Sequence, residues 1–278
     1  MFALAVCAGA ASPAAQQTFT GRLSDSACGA QHHRQSELTD RECLFACINA
    51  LAKYVLVDAD GRVIPIANQD AMGLPLYAGR PVKITGELKG DALLVSRVEA
   101  IPAHLHIGHV MTNWRDTPGS RGFLPVAIDE ARVAALHAKL AAKSAALDDV
   151  KLHAAHVLNA LDPGVEPTGP GAGYGVKKAV AGALQHLDFA AHAEGATANI
   201  ATHAAAASAS LAAAVRSIDE AIAVAQQIRS AADMPAAASA ASRLVDLTSD
   251  LSEKALQDAQ AHLALMLKAE GLQGAPRH

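Results

Sequence analysis

An imidazole on the inward line of a helix brings two ring nitrogens that must find partners away from water. The stretch "DDVKLHAAHVLNALDP", residues 148–163, reads as a short helix with Val150, Val157 and Leu161 inward. It offers two imidazoles, His153 within that face and His156 further round, beside Leu152. Other helical stretches each add one. His137 falls between the stripe positions Val133 and Leu140, with Glu130 two turns before it, and His186 flanks Val180, Ala183 and Leu187. His203 joins Ile200, Ala207 and Leu211, and His262 lies on the line of Leu251, Ala255 and Met266. His192 faces away from its stripe and reads as solvated.

With a rise of ~1.5 Å per residue, His137 and His156 stand ~15 and ~12 Å from the turn between their helices. His186 and His203 stand ~10 to 13 Å from the break at Gly195. If those two turns share one end of an up-and-down bundle, His137, His156, His186, His203 and His262 occupy one layer, and His153 lies about a turn nearer that end. Converging neutral imidazoles are ligands for copper, zinc or iron, and two facing ones suit the axial positions of haem. Glu130 is then a carboxylate ligand, or the acceptor for a ligating ring's other N–H. "HLHIGH", with His104, His106 and His109, either caps the layer or is a solvated linker. Against all this stands the ordinary role of a histidine on a helix flank, that of a hydrogen-bonded boundary residue.

The elements that must position these rings are helices at about 125–147, 148–161, 176–194, 196–231 and 235–270. They break at Leu147-Asp148, at "DPGVEPTGPGAGYG", at Gly195 and at Pro235. Alanine dominates the last two and permits close packing, while Leu, Ile and Val keep to a stripe. "GPGAGYG" has the glycines of a phosphate loop without its Lys and Ser/Thr, so it reads as a crossover with Tyr174 packed at the end of the next helix. The chain has no C-x-x-C-H for covalent haem, no paired Glu-x-x-His motifs and no nucleophile elbow.

Before residue 102 the composition changes to short runs of Gly, Val, Ile and Thr. "KYVLVDADGRVIPIA" and "RPVKITGELKGDALLVSRVEAI" alternate apolar and polar residues around the turn signals "ADG" and "KGD". With "TFTGRLSD" they supply about five strands, enough for a small closed barrel of the oligonucleotide/oligosaccharide-binding (OB) shape. Between them, a helix capped by Thr39 or Asp40 sets Cys43 and Cys47 one turn apart on one face. Cys28 can bond to Cys43 or Cys47 and pin that helix to the first strand. Alternatively Cys28, Cys43, Cys47 and His32 or His33 form a Cys3His site for zinc or copper(I). Cys43 and Cys47 are poorly placed to bridge each other within a regular helix.

"DSACG", a following His, "C-x-x-x-C" and "KYVLV" give residues 18–101 a resemblance to the small exported bacterial barrel domains called domain of unknown function 5818. That resemblance implies a barrel and export, and no settled activity. It stops short of the helical half.

"MFALAVCAGAASPAAQQ" has the short apolar core and small residues of a secretory signal, without the basic residues of its start. The expectation is therefore an α+β chain of two domains: 1–17 signal peptide, 18–101 OB-like β-barrel with one helix, 102–124 connector, 125–271 all-α up-and-down bundle. A periplasmic or secreted location goes with it. A net charge of -4, without a basic stripe and with one Trp and three Tyr, argues against nucleic acid as a partner. No later apolar run reaches the ~20 residues of a membrane span. Three functions compete: a metal- or haem-binding protein, a structural or interaction module for another exported protein, and, with least support, a metal-dependent enzyme.

Overall fold

The chain forms two compact units, Met1–Ala100 and Ile101–His278, in a computed structural model that describes residues 16–31 and 38–272. The expected signal segment 1–17 falls almost wholly outside the described residues, as do His32 and His33.

In the first unit, β1 (Gln17–Asp25), β2 (Tyr54–Val57), β3 (Val63–Pro65), β4 (Pro81–Lys89) and β5 (Ala92–Ala100) build one antiparallel sheet in the order β3-β2-β1-β4-β5. The two turn signals act as read: Gly61 and Gly90 adopt φ of 78° and 66°, and Asp58 Oδ1 accepts the N–H groups of Asp60 and Arg62. Alternation along β4 buries Val82, Ile84 and Gly86, and with Leu23, Leu56 and Leu93 they pack on Leu44 of α1 (Asp40–Asn49). Thr39 caps α1 through a capping box with Glu42.

The closed barrel is not formed, because the sheet is open between β3 and β5. Among the described residues, the isolated bridge Ile66↔Leu93 is the pairing that approaches closure. β3 is three residues long and ends in Pro65, which has no N–H to donate, so it presents little ladder to a further strand.

The second unit begins at once with α2 (Pro102–Met111), where a connector was expected. Pro102 takes a first-turn position, and Ala103, Ile107 and Val110 form the buried line. A 3₁₀ turn (Pro118–Ser120) leads to α3 (Phe123–Lys143), α4 (Leu147–Leu161), α5 (Val176–His192), α6 (Ala198–Ser230), α7 (Met234–Asp250), a π turn (Leu251–Ala255) and α8 (Leu256–Ala269).

A ladder of contacts gives the helix directions. Ala103 N–H donates to Glu194 O at 3.3 Å, His106 meets His186, the Phe123 ring lies 5.4 Å from that of His186, Glu130 holds Gly175, and His137 meets His153. Numbers rise along α2 and α3 while they fall along α4 and α5. Two helices therefore stack end to end in each of two antiparallel columns. α6 is the third column, fixed by Lys177–Asp219 at 2.8 Å and Glu166–Arg229 at 2.5 Å. α7 and α8 make the fourth, paired to α6 through Arg243–Glu220 and Asn199–Glu270. Ala204, Ala207, Ala214, Ala221 and Ala225 recur at helical spacing on the buried line of α6, so a neighbouring backbone can approach closely.

The loop from Asp162 to Gly175 is tied from below. Buried Glu130 accepts the N–H groups of Ala172, Tyr174 and Gly175, each at 3.1 Å. Buried Asn159 accepts from Gly171 and donates to Glu166 O. A Cβ at Gly171 would run into the Glu130 carboxylate, and Gly175 turns with φ of 81°. Tyr174 packs against α5 as expected, with the Lys178 ammonium 4.4 Å from its ring centre.

Candidate metal centres

Three places bring three metal-type ligands together, with the donor atoms of each group all within 4.8 Å of one another. The first joins His106 and His109 of α2 to His186 of α5. Its Nδ1 atoms stand 3.1 Å (His106–His186) and 3.2 Å (His109–His186) apart. The second joins His153 and His156 of α4 to His137 of α3, with Nδ1 separations of 3.1 and 3.3 Å. The third joins Cys43 and Cys47 of α1 to Cys28 of the turn after β1, with Sγ separations of 3.8 and 3.7 Å.

All three are built alike. Two donors come from one face of a helix, at spacing i,i+3 or i,i+4, and the third comes from a neighbouring segment. The separations have chemical meaning. Nitrogens bonded at ~2.0–2.1 Å to one tetrahedral ion stand ~3.3–3.4 Å apart, and thiolates bonded at ~2.3 Å stand ~3.8 Å apart. Hydrogen bonding alone serves these groups poorly. A neutral imidazole Nδ1 carries either one proton or one lone pair, so His186 and His137 can each satisfy one of their two neighbours but not both.

Burial favours the neutral form that a metal requires. It lowers the pKa of His186 to about 4, helped by the neighbouring His109 and His106 charges, and lowers His106 and His109. His137 and His156 are lowered first by burial and then by their partner imidazoles. The thiols move the other way: burial, then the neighbouring sulfurs, push Cys28 up to about 12, and burial also raises Cys47. An ion there must displace protons.

The single layer expected of the histidines is instead divided. His137, His153 and His156 meet; His186 joins His106 and His109; and His203 pairs with His262, ring centres 5.7 Å apart. Phe123 marks the level of His186 on α3, and His137 lies 14 residues further along, or ~21 Å. The expectation placed the turns at 147 and 195 at one end. Because α5 continues the direction of α4, they lie at opposite ends.

Glu130 is not brought into any of the three groups; its carboxylate accepts three loop N–H groups instead. The expected disulfide is not formed: Cys28, Cys43 and Cys47 are free, at separations far beyond the ~2.05 Å of a disulfide. His106 and His109, expected in a cap or a solvated linker, belong instead to the first group, and the signal that marks them is the repeated H-x-x-H of "HIGH" and "HAAH". His192 is exposed and pairs with Asp188. His104 is bonded through Nε2 to Glu270 at 3.0 Å. The Nδ1 atoms of His104, His203 and His262 are buried without a hydrogen-bond partner.

Among the described residues no helix is long and apolar enough to cross a membrane. No protein-family model, curated protein or solved structure matches the chain.

Proposed function

We propose that the helical unit binds transition-metal ions at two separate three-imidazole centres, His106/His109/His186 and His137/His153/His156. One observation carries the reading: the same arrangement, an H-x-x-H pair on one helix and a single histidine on its antiparallel neighbour, brings three imidazole nitrogens within 4.8 Å of one another in two places. Two unrelated coincidences would be needed to produce it from boundary histidines. Copper, zinc and iron(II) fit this donor set. Haem fits less well, because its iron takes at most two axial ligands and a third converging imidazole would occupy the ring's plane.

The three thiols of the first unit add a softer site suited to zinc or copper(I). Export to the periplasm or beyond, an OB-like identity for the sheet unit and membership of the small exported barrel family belong to the same proposal. They are supported by the leading small-residue run and by the motifs around Cys28.

Elemental analysis of the full chain, stripped with chelator and dialysed without oxygen against copper(I) and zinc together, tests the reading. Two ions per helical unit are expected, and a third when the thiols are reduced. A stripped chain that takes up no ion at micromolar concentration would overturn it. The structural reading, in which histidines serve only local hydrogen bonds, fits His104 with Glu270 and His192 with Asp188, and those lie outside both centres.

A further inference from the structure

The two imidazole centres share donors but differ in their surroundings. Around His137, His153 and His156, the aromatic contacts recorded among the described residues are those of the three imidazoles with one another. All three are partly buried, as His106 and His109 also are, so the difference between the centres lies in the rings packed on them: no indole or phenyl ring stands against this group among the described residues, which leaves room for a fourth ligand such as water.

The His106/His109/His186 centre is walled by rings. Trp114 lies with its ring centre 4.7 Å from that of His109 and 5.0 Å from that of His186. Phe123 stands 5.4 Å from His186 on the core side. Phe189 covers the outer side, 5.2 Å from His106 and 5.6 Å from His186, and its exposure of 42 % shows that it is the face turned to solvent. His186 itself is 7 % exposed. The packing behind is equally close: a Cβ at Gly182 would run into the Phe123 ring. None of these rings offers a lone pair to a metal.

Coordination number then selects the ion. Zinc is almost always four-coordinate and draws its fourth ligand from water where the protein supplies three. Copper(I), a closed-shell and soft ion, is satisfied by two or three donors and gains nothing from a water. Resting on the metal-binding reading above, we infer that His106, His109 and His186 form a three-coordinate copper(I) centre, from which Trp114, Phe123 and Phe189 exclude the fourth ligand that zinc needs. The His137/His153/His156 centre, open at its fourth position, remains available to zinc or copper(II).

Trp114 is the chain's single tryptophan, so its emission reports this centre alone. The stripped full chain is titrated without oxygen, with copper(I) supplied as its acetonitrile complex and with zinc chloride in parallel. Copper(I) is expected to change Trp114 emission with a one-equivalent end point, once tighter thiol sites are filled, and excess zinc should not reverse it. A full-length variant with all four cysteines replaced by serine and His137→Gln isolates the centre for X-ray absorption, which should read a three-coordinate copper(I) edge with three light-atom neighbours and the outer-shell scattering of imidazole. Phe189→Ala opens the outer wall and should raise zinc affinity here about tenfold.

A four-coordinate copper site, or zinc competing on equal terms in the unmodified chain, sinks the selectivity and leaves the metal-binding reading standing. Uptake of neither ion by the isolated centre, with Trp114 emission unmoved by either metal in the unmodified chain, sinks this centre under both readings. The unmodified chain supplies the emission result even if the multiple variant does not fold.

Discussion

The carboxylate of Glu130, in the middle of α3, accepts the backbone N–H of Tyr174, 44 positions later, at 3.1 Å. With Ala172 and Gly175 held on the same side chain, the loop after α4 is delivered to the midpoint of α3. α5 therefore starts there and continues in the direction of α4. That anchorage separates the two imidazole centres along the bundle.

Glu130→Gln removes a buried charge that three N–H groups solvate, and it sets an amide NH₂ against at least one of them. A loss of ~2–3 kcal/mol is expected in urea unfolding of the helical unit. Metal stoichiometry should not change, and loss of an ion from a still-folded variant would restore Glu130 as a ligand.

The two centres should respond separately to mutation. His186→Gln is expected to abolish binding at the first centre and leave the second, and His137→Gln to do the reverse. Each loss should exceed the ~10–100-fold typical of removing a mere supporting partner of a ligand. Calorimetric titration of the two variants reads this directly, with copper(I) in the absence of oxygen for the first centre and zinc for the second. Simultaneous loss of both ions in either single variant would mean that they share one site after all.

Acid should weaken the metal-free helical unit. The folded pKa of His186 lies at about 4, below the ordinary ~6.5, with burial as the main cause. Unfolded chain therefore binds the proton first. The stabilisation from neutral His186 is complete above ~6.5 and is lost as pH falls towards about 4, with His106, His109, His137 and His156 shifted in the same direction. Denaturant midpoints measured across that interval should fall with pH, and a bound ion should carry the fall to lower pH. Midpoints that rise on acidification would contradict the burial of these rings.

For the thiols, slow labelling is expected. Cys28, held at about 12 by burial and its sulfur neighbours, is almost wholly protonated at neutral pH and a poor nucleophile. Iodoacetamide should modify it slowly in the reduced, stripped protein, and zinc should slow labelling of Cys28, Cys43 and Cys47 together. Protection of one cysteine alone would argue against a shared ion.

Much of this architecture was legible in residue order. The helices expected at 148–161 and 176–194 stand at Leu147–Leu161 and Val176–His192, because apolar spacing and the Gly and Pro breaks act locally. α2 escaped notice because it is short, carries Gly108, and has its one strong start signal, Pro102, directly after a strand. His137, His153 and His156 could be grouped by counting residues across a single tight turn. The partners of His186 could not, because their level depends on which way α5 runs, and that is decided by three N–H groups reaching a distant carboxylate. Nor does alternation reveal sheet closure, which depends on how much ladder an edge strand such as Val63–Pro65 presents.

The π turn at Leu251–Ala255 acts as a one-residue insertion in an otherwise continuous helix. Upstream spacing would carry the buried line from Leu251 to Ala255 and His262; instead Leu256, Ala259 and Leu263 take it, each fully buried, and Ala255 and His262 stand at its margin. Closing this turn to regular α-helix without removing a residue would leave composition and helix content almost untouched. It would rotate the whole C-terminal segment by ~100°, pressing His262 into the core and turning Leu263 towards water. Removing one residue from the turn would instead close the bulge in phase, because Leu256, Ala259 and Leu263 would then fall four, seven and eleven positions after Leu251.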